Sequence, residues 1–296
     1  MLKVARPVRT ASFHPSRGEL ISIGGRSLRL VRAGPTSRRP TILLECGAFG
    51  CAADWAVVQE KLAERGLHSL AYDRAGLGYS DAGPAPRDGR AIADDLEALL
   101  AKAAEPGPYV LVGHSMGGLL VKVFAHRHPD QVLGVVLVDA VTPEILDAKR
   151  LAAGVYAYRG AMRMVGLGAR AGFMRPVSMV MGDMIGLTGE ASVEKRRIYG
   201  SPVHTRWAAE EVQHWPATSA HARDNGPFAP DLPVAVITAG ERPASALKKI
   251  QVGPAKASRR GYVEHVAGAN HASLLGKRFG DPIVRGVEHV LTAVGR

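Results

Sequence analysis

Short apolar runs bounded by turn-forming residues recur along this chain, and they constrain its fold more than any other feature. The runs are rich in valine, isoleucine and leucine. Runs of this length and composition are typical of strands buried on both faces, as in a parallel sheet. Six of them occur, TILLEC (41–46), HSLAY (68–72), YVLVG (109–113), GVVLV (134–138), VAVITA (234–239) and YVEHV (262–266).

Helical patterns lie between these runs and after the last one. Near the C-terminus, Asp281 is placed as an N-cap and Pro282 as the first helical residue. Apolar residues then follow at helical spacing, namely Ile283, Val287, Val290, Leu291 and Val294. One face of an earlier helical segment, which ends before EPGP (105–108), holds Ile92, Leu96, Leu99 and Leu100.

The alternation of strand and helix predicts an α/β fold with a doubly wound, mostly parallel sheet of about eight strands. Two further runs, ELISI (19–23) and SLRLVRA (27–33), flank Gly24-Gly25 and predict a hairpin added at the sheet edge.

The alternation breaks between residues 142 and 230, where no clear strand run occurs. This break predicts a helical cap inserted after strand 6, with the core formed by residues 1–141 and 231–296. The span is rich in methionine, a flexible side chain that serves as core filler or lines an adaptable apolar pocket; both interpretations stay open. Its methionines are Met162, Met164, Met174, Met179, Met181 and Met184.

The formal charge of +11 is concentrated near the N-terminus, where residues 1–39 hold nine Lys and Arg against one acid. A nucleic-acid binder interleaves its basic residues with aromatics on one element. This basic segment contains one aromatic residue, Phe13. We therefore expect no nucleic-acid partner and interpret the basic residues as solvated strand edges.

The sequence also bears on the compartment of the protein. No run reaches the roughly 18 uninterrupted apolar residues of a spanning helix, and the basic N-terminus is not followed by the apolar region of a secretory signal. Cys46 and Cys51 lie in one glycine-rich loop and make neither a disulfide framework nor a zinc site. We expect no integral membrane segment and a reduced, cytoplasmic setting.

The residues 113–117, Gly-His-Ser-Met-Gly, match the pattern G-x-S-x-G between a strand-like and a helix-like run. A serine is a poor nucleophile unless a base accepts its proton and a third group orients that base. A tight strand-to-helix turn would expose Ser115 at the sheet edge and aim the N–H of Met116 at a developing oxyanion. The pattern predicts a nucleophilic Ser115.

At this motif the chain resembles the α/β-hydrolase family, and the resemblance covers most of its length. LLECGAFGCAADW (43–55) resembles the oxyanion loop after the third strand, and YDRAGLGYSD (72–81) the turn after the fourth. GHSMGG (113–118) resembles the nucleophile elbow, and VAGANHASLL (266–275) the loop that carries the catalytic histidine. The four motifs occur in the order of the family.

The resemblance implies that His271 is the base, because it follows a strand, lies in a loop of small residues and precedes the terminal helix. His265, inside the strand run, is the main alternative. His114 adjoins the serine, but a residue at that point of the turn should point elsewhere, and we interpret it as a packing residue.

The acid is less clearly indicated. Many family members carry an aspartate after the seventh strand, whereas TAGERPASALKK (238–249) contains only Glu241. Asp139 ends the run GVVLV, where other family members carry their acid. An aspartate closing an apolar run needs a partner, and a histidine N–H is one. We expect Asp139 to be the acid. The alternatives are that Glu241 is the acid, or that Asp139 only caps the following helix.

The second oxyanion donor is expected at the N–H of Ala48, with Phe49 as the alternative. Related enzymes commonly have His-Gly at this turn, whereas this chain has Cys46-Gly47. We expect Asp73 to hold its own turn rather than to act as an acid. The inserted span also holds three histidines and two tryptophans, namely His204, His214, His221, Trp207 and Trp215. Because their spacing matches no metal site, we expect them to have packing or surface roles.

These residues predict a serine hydrolase that cleaves a carboxylester, lactone or thioester through an acyl-enzyme. The expected partner is a small-molecule substrate with an apolar acyl group, and no metal or organic cofactor is needed. An acyltransferase or cofactor-free perhydrolase would use the same triad, and a non-catalytic binding protein could keep the fold; both alternatives stay open. A serine at the elbow argues against dehalogenase and epoxide-hydrolase chemistry, which in related enzymes uses aspartate there.

Overall fold

The eight strands of the computed structural model form one sheet in the order β1-β2-β4-β3-β5-β6-β7-β8. The structure describes residues 15–36, 40–170, 184–224 and 226–296. The strands are β1 (Glu19–Ser22), β2 (Ser27–Ala33), β3 (Thr41–Glu45), β4 (Ser69–Tyr72), β5 (Tyr109–His114), β6 (Val132–Val138), β7 (Val234–Ala239) and β8 (Gly261–Val266).

The pairing confirms a mostly parallel sheet with a hairpin at one edge. Strands β1, β2 and β4 pair antiparallel, and the strands from β4 through β3, β5, β6 and β7 to β8 pair parallel. In the register, Glu45 is paired with Gly113, His114 with Val138, and Val138 with Ile237. The loops that follow β3, β5, β6 and β7 therefore meet at one edge, where α/β proteins bind their ligands.

Helices cover both faces of the sheet, as a doubly wound fold requires. One buried layer packs α1 (Ala56–Glu64) and the C-terminal helix Asp281–Ala293 on the sheet through side chains such as Leu62 and Val287. The opposite layer packs α2 (Gly89–Lys102) and α3 (Gly117–Arg127) through side chains such as Leu99 and Phe124. The face predicted for α2 is buried at all four positions.

The C-terminal helix begins one residue earlier than expected. Asp281 lies within the helix, and Gly280 is its N-cap. The Asp281 carboxylate is therefore not a cap; it accepts a hydrogen bond of 2.7 Å from Lys61 Nζ of α1. The ion pair joins the two helices of one layer.

The described part of the chain between β6 and β7 contains helices and no strand. Its helices are α4 (Pro143–Asp147), α5 (Lys149–Arg170), α6 (Gly189–Tyr199), α7 (Pro202–Gln213) and α8 (Trp215–Arg223). After β7 come α9 (Ala246–Gln251) and α10 (Gly253–Ala257), so the C-terminal helix is α11. Among the described helices, none combines the length and apolar character that crossing a bilayer requires.

The methionines of this region differ in their surroundings. Met164 and Met184 are exposed, whereas Met162 packs against a buried cluster that contains Met116. Met174, Met179 and Met181 lie outside the described residues. Of the described methionines between β6 and β7, Met162 is the one placed as a pocket residue.

Candidate active site

Ser115 occupies a strained turn between β5 and α3. Its φ of 55° lies in the left-handed region, which a non-glycine residue adopts only when its surroundings enforce it. The Ser115 N–H donates to the carbonyl of Val138 at 3.1 Å, and its carbonyl accepts from the N–H of Val141 at 2.8 Å. Two bonds to the end of β6 and its following loop thus hold the turn.

Small residues around the serine are required by the packing. A Cβ at Gly113 would lie 2.6 Å from the carbonyl oxygen of Gly117, and a Cβ at Gly117 would lie 2.5 Å from the carbonyl oxygen of Glu45. A Cβ at Gly47 would lie 2.8 Å from the Ser115 Cβ. The loop after β3 therefore passes directly beside the serine.

Asp139 and His271 are in contact, although they are 132 positions apart in the sequence. Nδ1 of His271 lies 2.7 Å from Oδ2 of Asp139. Asp139 follows β6 with a φ of 42°, and its N–H donates to the carbonyl of Ile237 at 2.7 Å. The carboxylate is buried at the sheet edge, while the His271 side chain is 52% exposed.

The second oxygen of Asp139 binds a lysine that sequence reasoning missed. Lys248 Nζ of α9 forms an ion pair with Oδ1 of Asp139, and the N–H of Ala239 donates to the same oxygen at 3.4 Å. Burial alone would raise the pKa of Asp139, but the hydrogen bonds from His271 and Lys248 lower it below its usual value. Asp139 is therefore ionised throughout the neutral range.

His114 contacts the histidine loop rather than serving only as packing. Its ring centroid lies 4.6 Å from that of His271, and its Nε2 lies 2.9 Å from the His271 carbonyl oxygen. Burial, with the nearby His271 as a smaller effect, lowers the pKa of His114 to about 3. The ring is therefore neutral, and its Nε2–H donates to that carbonyl and fixes the loop.

The backbone bond from Ser115 to Val138 joins the serine turn to the residue that directly precedes Asp139. In the described part of the chain, the Ser115 hydroxyl makes no hydrogen bond to His271, and Nε2 of His271 has no hydrogen-bond partner. Nε2 lies on the far side of the ring from Asp139 and is available to a hydroxyl. Such bonds are often long without substrate and shorten in the reacting complex.

The expected oxyanion donors lie on the two loops that flank the serine. Within the described residues, the N–H groups of Met116 and Ala48 donate to no protein acceptor. Their side chains pack in one apolar cluster. Phe49, with a φ of 58°, has an equally free N–H, so it remains the alternative to Ala48.

A buried arginine holds the backbone of this loop. Arg74 donates to the carbonyls of Cys46 and Gly47, both at 2.9 Å, and it is paired with Glu45 at 2.6 Å and with Glu211 at 2.8 Å. Because Glu211 belongs to α7, the arginine links the inserted helices to the loop beside Ser115.

His204 makes a second link from α7. Its Nδ1 accepts from the N–H of Gly78 at 3.2 Å, so its Nε2–H donates to the carbonyl of Phe49, also at 3.2 Å. Burial lowers the pKa of His204 to about 4. The residue is buried and neutral, in keeping with a packing role, and it also holds the loop that follows β3.

The other inserted aromatic residues contact the core or their own helix. The indole N–H of Trp215 donates to the sulfur of Met116. Trp207 packs directly on Gly76, since a Cβ at Gly76 would lie 2.3 Å from the indole ring. His214 pairs with Glu210 at 3.1 Å, four residues earlier on the same helix. His221 is partly buried on α8.

The rival acid and base have other partners. Glu241 is exposed and accepts from the N–H of Gly268 at 3.0 Å. His265 lies 2.9 Å from Thr238 Oγ1 through Nδ1 and 2.7 Å from the Gly240 carbonyl through Nε2. Glu241 thus joins the loops that follow β7 and β8, and His265 joins β8 to β7 and to the loop after it.

Asp73 holds its turn, as expected. It accepts from the N–H groups of Ala52 at 2.7 Å and Tyr79 at 3.0 Å, and it is paired with Arg29 at 3.2 Å. The hydroxyl of Ser80 donates to its carbonyl at 2.6 Å. The Asp73 carboxylate thus binds two backbone N–H groups and an arginine.

Both cysteines are buried within the loop that follows β3. The thiol of Cys46 donates to the carbonyl of Cys51 at 3.1 Å. Burial raises the pKa of both thiols well above the ordinary value. Because a thiolate is the reactive form, neither sulfur is an activated nucleophile.

The family model for the alpha/beta hydrolase fold matches residues 40–277, and the chain belongs to this family. The probable transporter efuK of Hormonema carpetanum is 36% identical over 135 residues, which cover 44% of this chain and 19% of that protein. The chain spans less than half the length of the first curated relatives it matches.

Two solved structures resemble nearly the whole chain. A candidate epoxide hydrolase from Pseudomonas aeruginosa superimposes with a TM-score of 0.70 at 20% identity, covering 94% of this chain and 96% of that chain. An enol-lactonase from Burkholderia xenovorans LB400 superimposes with a TM-score of 0.64 at 21% identity, covering 93% of this chain and 100% of that chain. At these identities the likeness shows the fold.

Proposed function

We propose that the protein is a serine hydrolase that cleaves an ester-like bond through an acyl-enzyme. The observation that carries this proposal is the contact between Asp139 and His271 at the sheet edge where the strained turn presents Ser115. A nucleophile, a base and an orienting acid at one edge are the groups that acyl transfer needs. The membership of the alpha/beta hydrolase family supports the same reaction class.

In the proposed mechanism, Nε2 of His271 accepts the proton of Ser115 as the hydroxyl attacks the acyl carbon. Asp139 accepts from Nδ1–H and stabilises the imidazolium. The N–H groups of Met116 and Ala48 bind the oxyanion. His271 then gives its proton to the leaving alcohol and activates the water that hydrolyses the acyl-enzyme; its exposure gives water access to the ring.

The chemistry of serine favours acyl over alkyl substrates. Attack on an ester carbonyl gives a serine ester, which water hydrolyses through a second tetrahedral intermediate. Attack on an epoxide carbon would give a serine ether, which lacks a carbonyl and is not hydrolysed by the same route. We therefore assign carboxylesters, lactones or thioesters as the substrate class.

An apolar cluster beside Ser115 supports an apolar acyl group. Met116, Leu120 and Trp215 are buried in it, and partly buried apolar side chains complete it, namely Ala48, Phe49, Leu146 and Met162. Clustered apolar side chains near a few polar groups are typical of small-molecule sites.

We also propose that residues 142–230 act as a cap on this site. Three contacts support this role, because each joins an inserted helix to the serine turn, to the loop after β3 or to the arginine that holds that loop. They are Glu211 with Arg74, His204 with Phe49, and Trp215 with Met116.

Hydrolysis of p-nitrophenyl esters from acetate to decanoate tests the proposal. We expect turnover by the wild-type protein, its loss in Ser115→Ala, and unchanged rates in the exposed-site control Ser16→Ala. The preferred chain length then measures the acyl pocket. Equal rates in the wild type and Ser115→Ala would contradict the proposal, and absence of turnover with every ester would favour a non-catalytic binding protein.

A further inference from the structure

We propose that Lys248 is a positioning residue of this site: it holds one oxygen of Asp139, and its charge limits how strongly Asp139 favours a protonated His271. The inference rests on the proposed function, since it concerns the acid limit of the hydrolytic reaction. The prediction is that Lys248 keeps the base in its active, neutral form to lower pH.

The two oxygens of Asp139 bind separate side-chain donors. Oδ2 faces Nδ1 of His271 at 2.7 Å, and Oδ1 is paired with Nζ of Lys248. Asp139 and Lys248 are both more than nine-tenths buried. A pair this far from water is screened by dissolved salt less than an exposed pair.

The helix that carries Lys248 is anchored on both sides of the pair. Ser245 caps α9 by accepting the N–H of Lys248 at 3.3 Å. Gln251, at the end of the helix, donates to the carbonyl of Ala140 at 3.1 Å. Ala140 directly follows Asp139, so the lysine and the carboxylate are held in register from two points.

The other charges near the pair are few. In the described ranges, Lys248 is the lysine and His271 the histidine within salt-bridge distance of Asp139. His114 of β5 faces His271 as a neutral ring. Glu241 binds the backbone of Gly268 at the exposed start of the histidine loop.

The charge of Lys248 has a defined effect on the base. The positive charge of Lys248 cancels part of the electric field of the Asp139 carboxylate. A proton on His271 is therefore stabilised less than it would be by the carboxylate alone. Without the lysine, the whole negative charge would favour the imidazolium, and His271 would become protonated at higher pH. At an effective dielectric constant near 20, a unit charge about 12 Å away corresponds to about one pH unit, and two groups bound to the same carboxylate are closer than this, so one unit is the smallest shift expected.

The test compares pH profiles of kcat/KM for p-nitrophenyl butyrate in the wild type, Lys248→Met and Lys248→Arg. We expect the acid limb of Lys248→Met to move to higher pH by about one unit or more, which lowers activity about tenfold or more on that limb. Lys248→Arg keeps the charge and should keep the limb of the wild type. The exposed neighbour Lys249→Met is the matched control and should also leave it unchanged.

The inference would be overturned if the acid limb of Lys248→Met coincided with that of the wild type. It would also be overturned if the acid limb of Lys248→Arg moved as far as that of Lys248→Met. A merely structural role would lower the plateau without moving the limb. If Lys248→Met is unstable, Lys248→Gln keeps a polar side chain without the charge and carries the same expectation.

A measurement without turnover separates this inference from the proposed function. In the Ser115→Ala background, NMR titration of the His271 imidazole should show its midpoint rising by about one pH unit or more on Lys248→Met. An unchanged midpoint would overturn the inference even if the enzyme hydrolyses esters. Absence of hydrolysis by the wild type would overturn the proposed function while leaving this titration readable.

Discussion

Replacing Asp139 by asparagine removes the charge that faces His271 and keeps the side-chain shape. Both side-chain partners of Asp139 are donors, His271 through Nδ1 and Lys248 through Nζ. An amide has one acceptor oxygen, so it can accept from only one of them and turns an N–H toward the other. Asp139→Asn therefore loses both the charge and one hydrogen bond.

The size of the effect follows from the contact between the two side chains. A carboxylate and an imidazolium about 4 Å apart attract each other by about 4 kcal/mol at an effective dielectric constant near 20. The imidazolium forms only as the reaction proceeds, so this attraction is lost from the transition state. We expect kcat/KM to fall by about 10³-fold, and by about 10⁴-fold if the lost hydrogen bond also turns the ring.

The same substitution should destabilise the fold, because Lys248 becomes a buried charge without its counter-ion. Removing one partner of a buried pair costs about 3–5 kcal/mol. Urea unfolding measures this loss, and kinetics should be recorded well below the unfolding midpoint so that only folded protein contributes.

The assay is p-nitrophenyl butyrate hydrolysis by the wild type, Asp139→Asn and Glu241→Gln. Glu241 is the other acid in the loops that follow β6 and β7, and its removal should change kcat/KM less than twofold. Asp139→Asn with a rate within threefold of the wild type would refute the reasoning, as would a large loss confined to Glu241→Gln.

Two further predictions concern the loop beside the serine. Gly47→Ala should lower kcat about 10²-fold, because the new Cβ would lie 2.8 Å from the Ser115 Cβ and displace the donor at Ala48. Ester kinetics measure this, with Gly253→Ala as the control, since a Cβ at Gly253 would meet no atom within 4 Å. Equal kcat values for the two variants would contradict the prediction. His204 is neutral when folded, with a pKa of about 4, so the unfolded chain binds the proton first as the pH falls below about 6.5. Between pH 7 and pH 5 the wild type should lose about 2 kcal/mol of unfolding free energy that His204→Gln does not lose, and parallel urea curves for the two proteins would contradict this.

The strands could be predicted because their signal is local and strong. Buried parallel strands need continuous apolar runs, and the boundaries predicted for TILLEC and VAVITA agree with β3 and β7 to within one residue. The start of β6 was predicted two residues late, at Gly134. A Cβ there would lie 2.4 Å from a methyl carbon of Val290, so this glycine belongs to the strand and lets α11 pack closely.

The site likewise has a part that local sequence predicts and a part that depends on contacts between distant residues. The turn around Ser115 is a property of five consecutive residues and was predictable from them. The Lys248–Asp139, His114–His271 and Arg74–Glu211 contacts join residues more than 100 positions apart, and no local pattern indicates them. Lysine and glutamate are mostly exposed in proteins, so Lys248 and Glu211 carried no signal of burial.

The central claim is that Ser115 is activated by the His271–Asp139 pair. A fluorophosphonate reacts covalently with a serine only where a base activates it, and peptide mass spectrometry locates the adduct. We predict one adduct, on Ser115, that is absent in Ser115→Ala and at least 100-fold slower to form in His271→Ala. Adduct formation elsewhere in the chain, or at an undiminished rate without His271, would contradict the account.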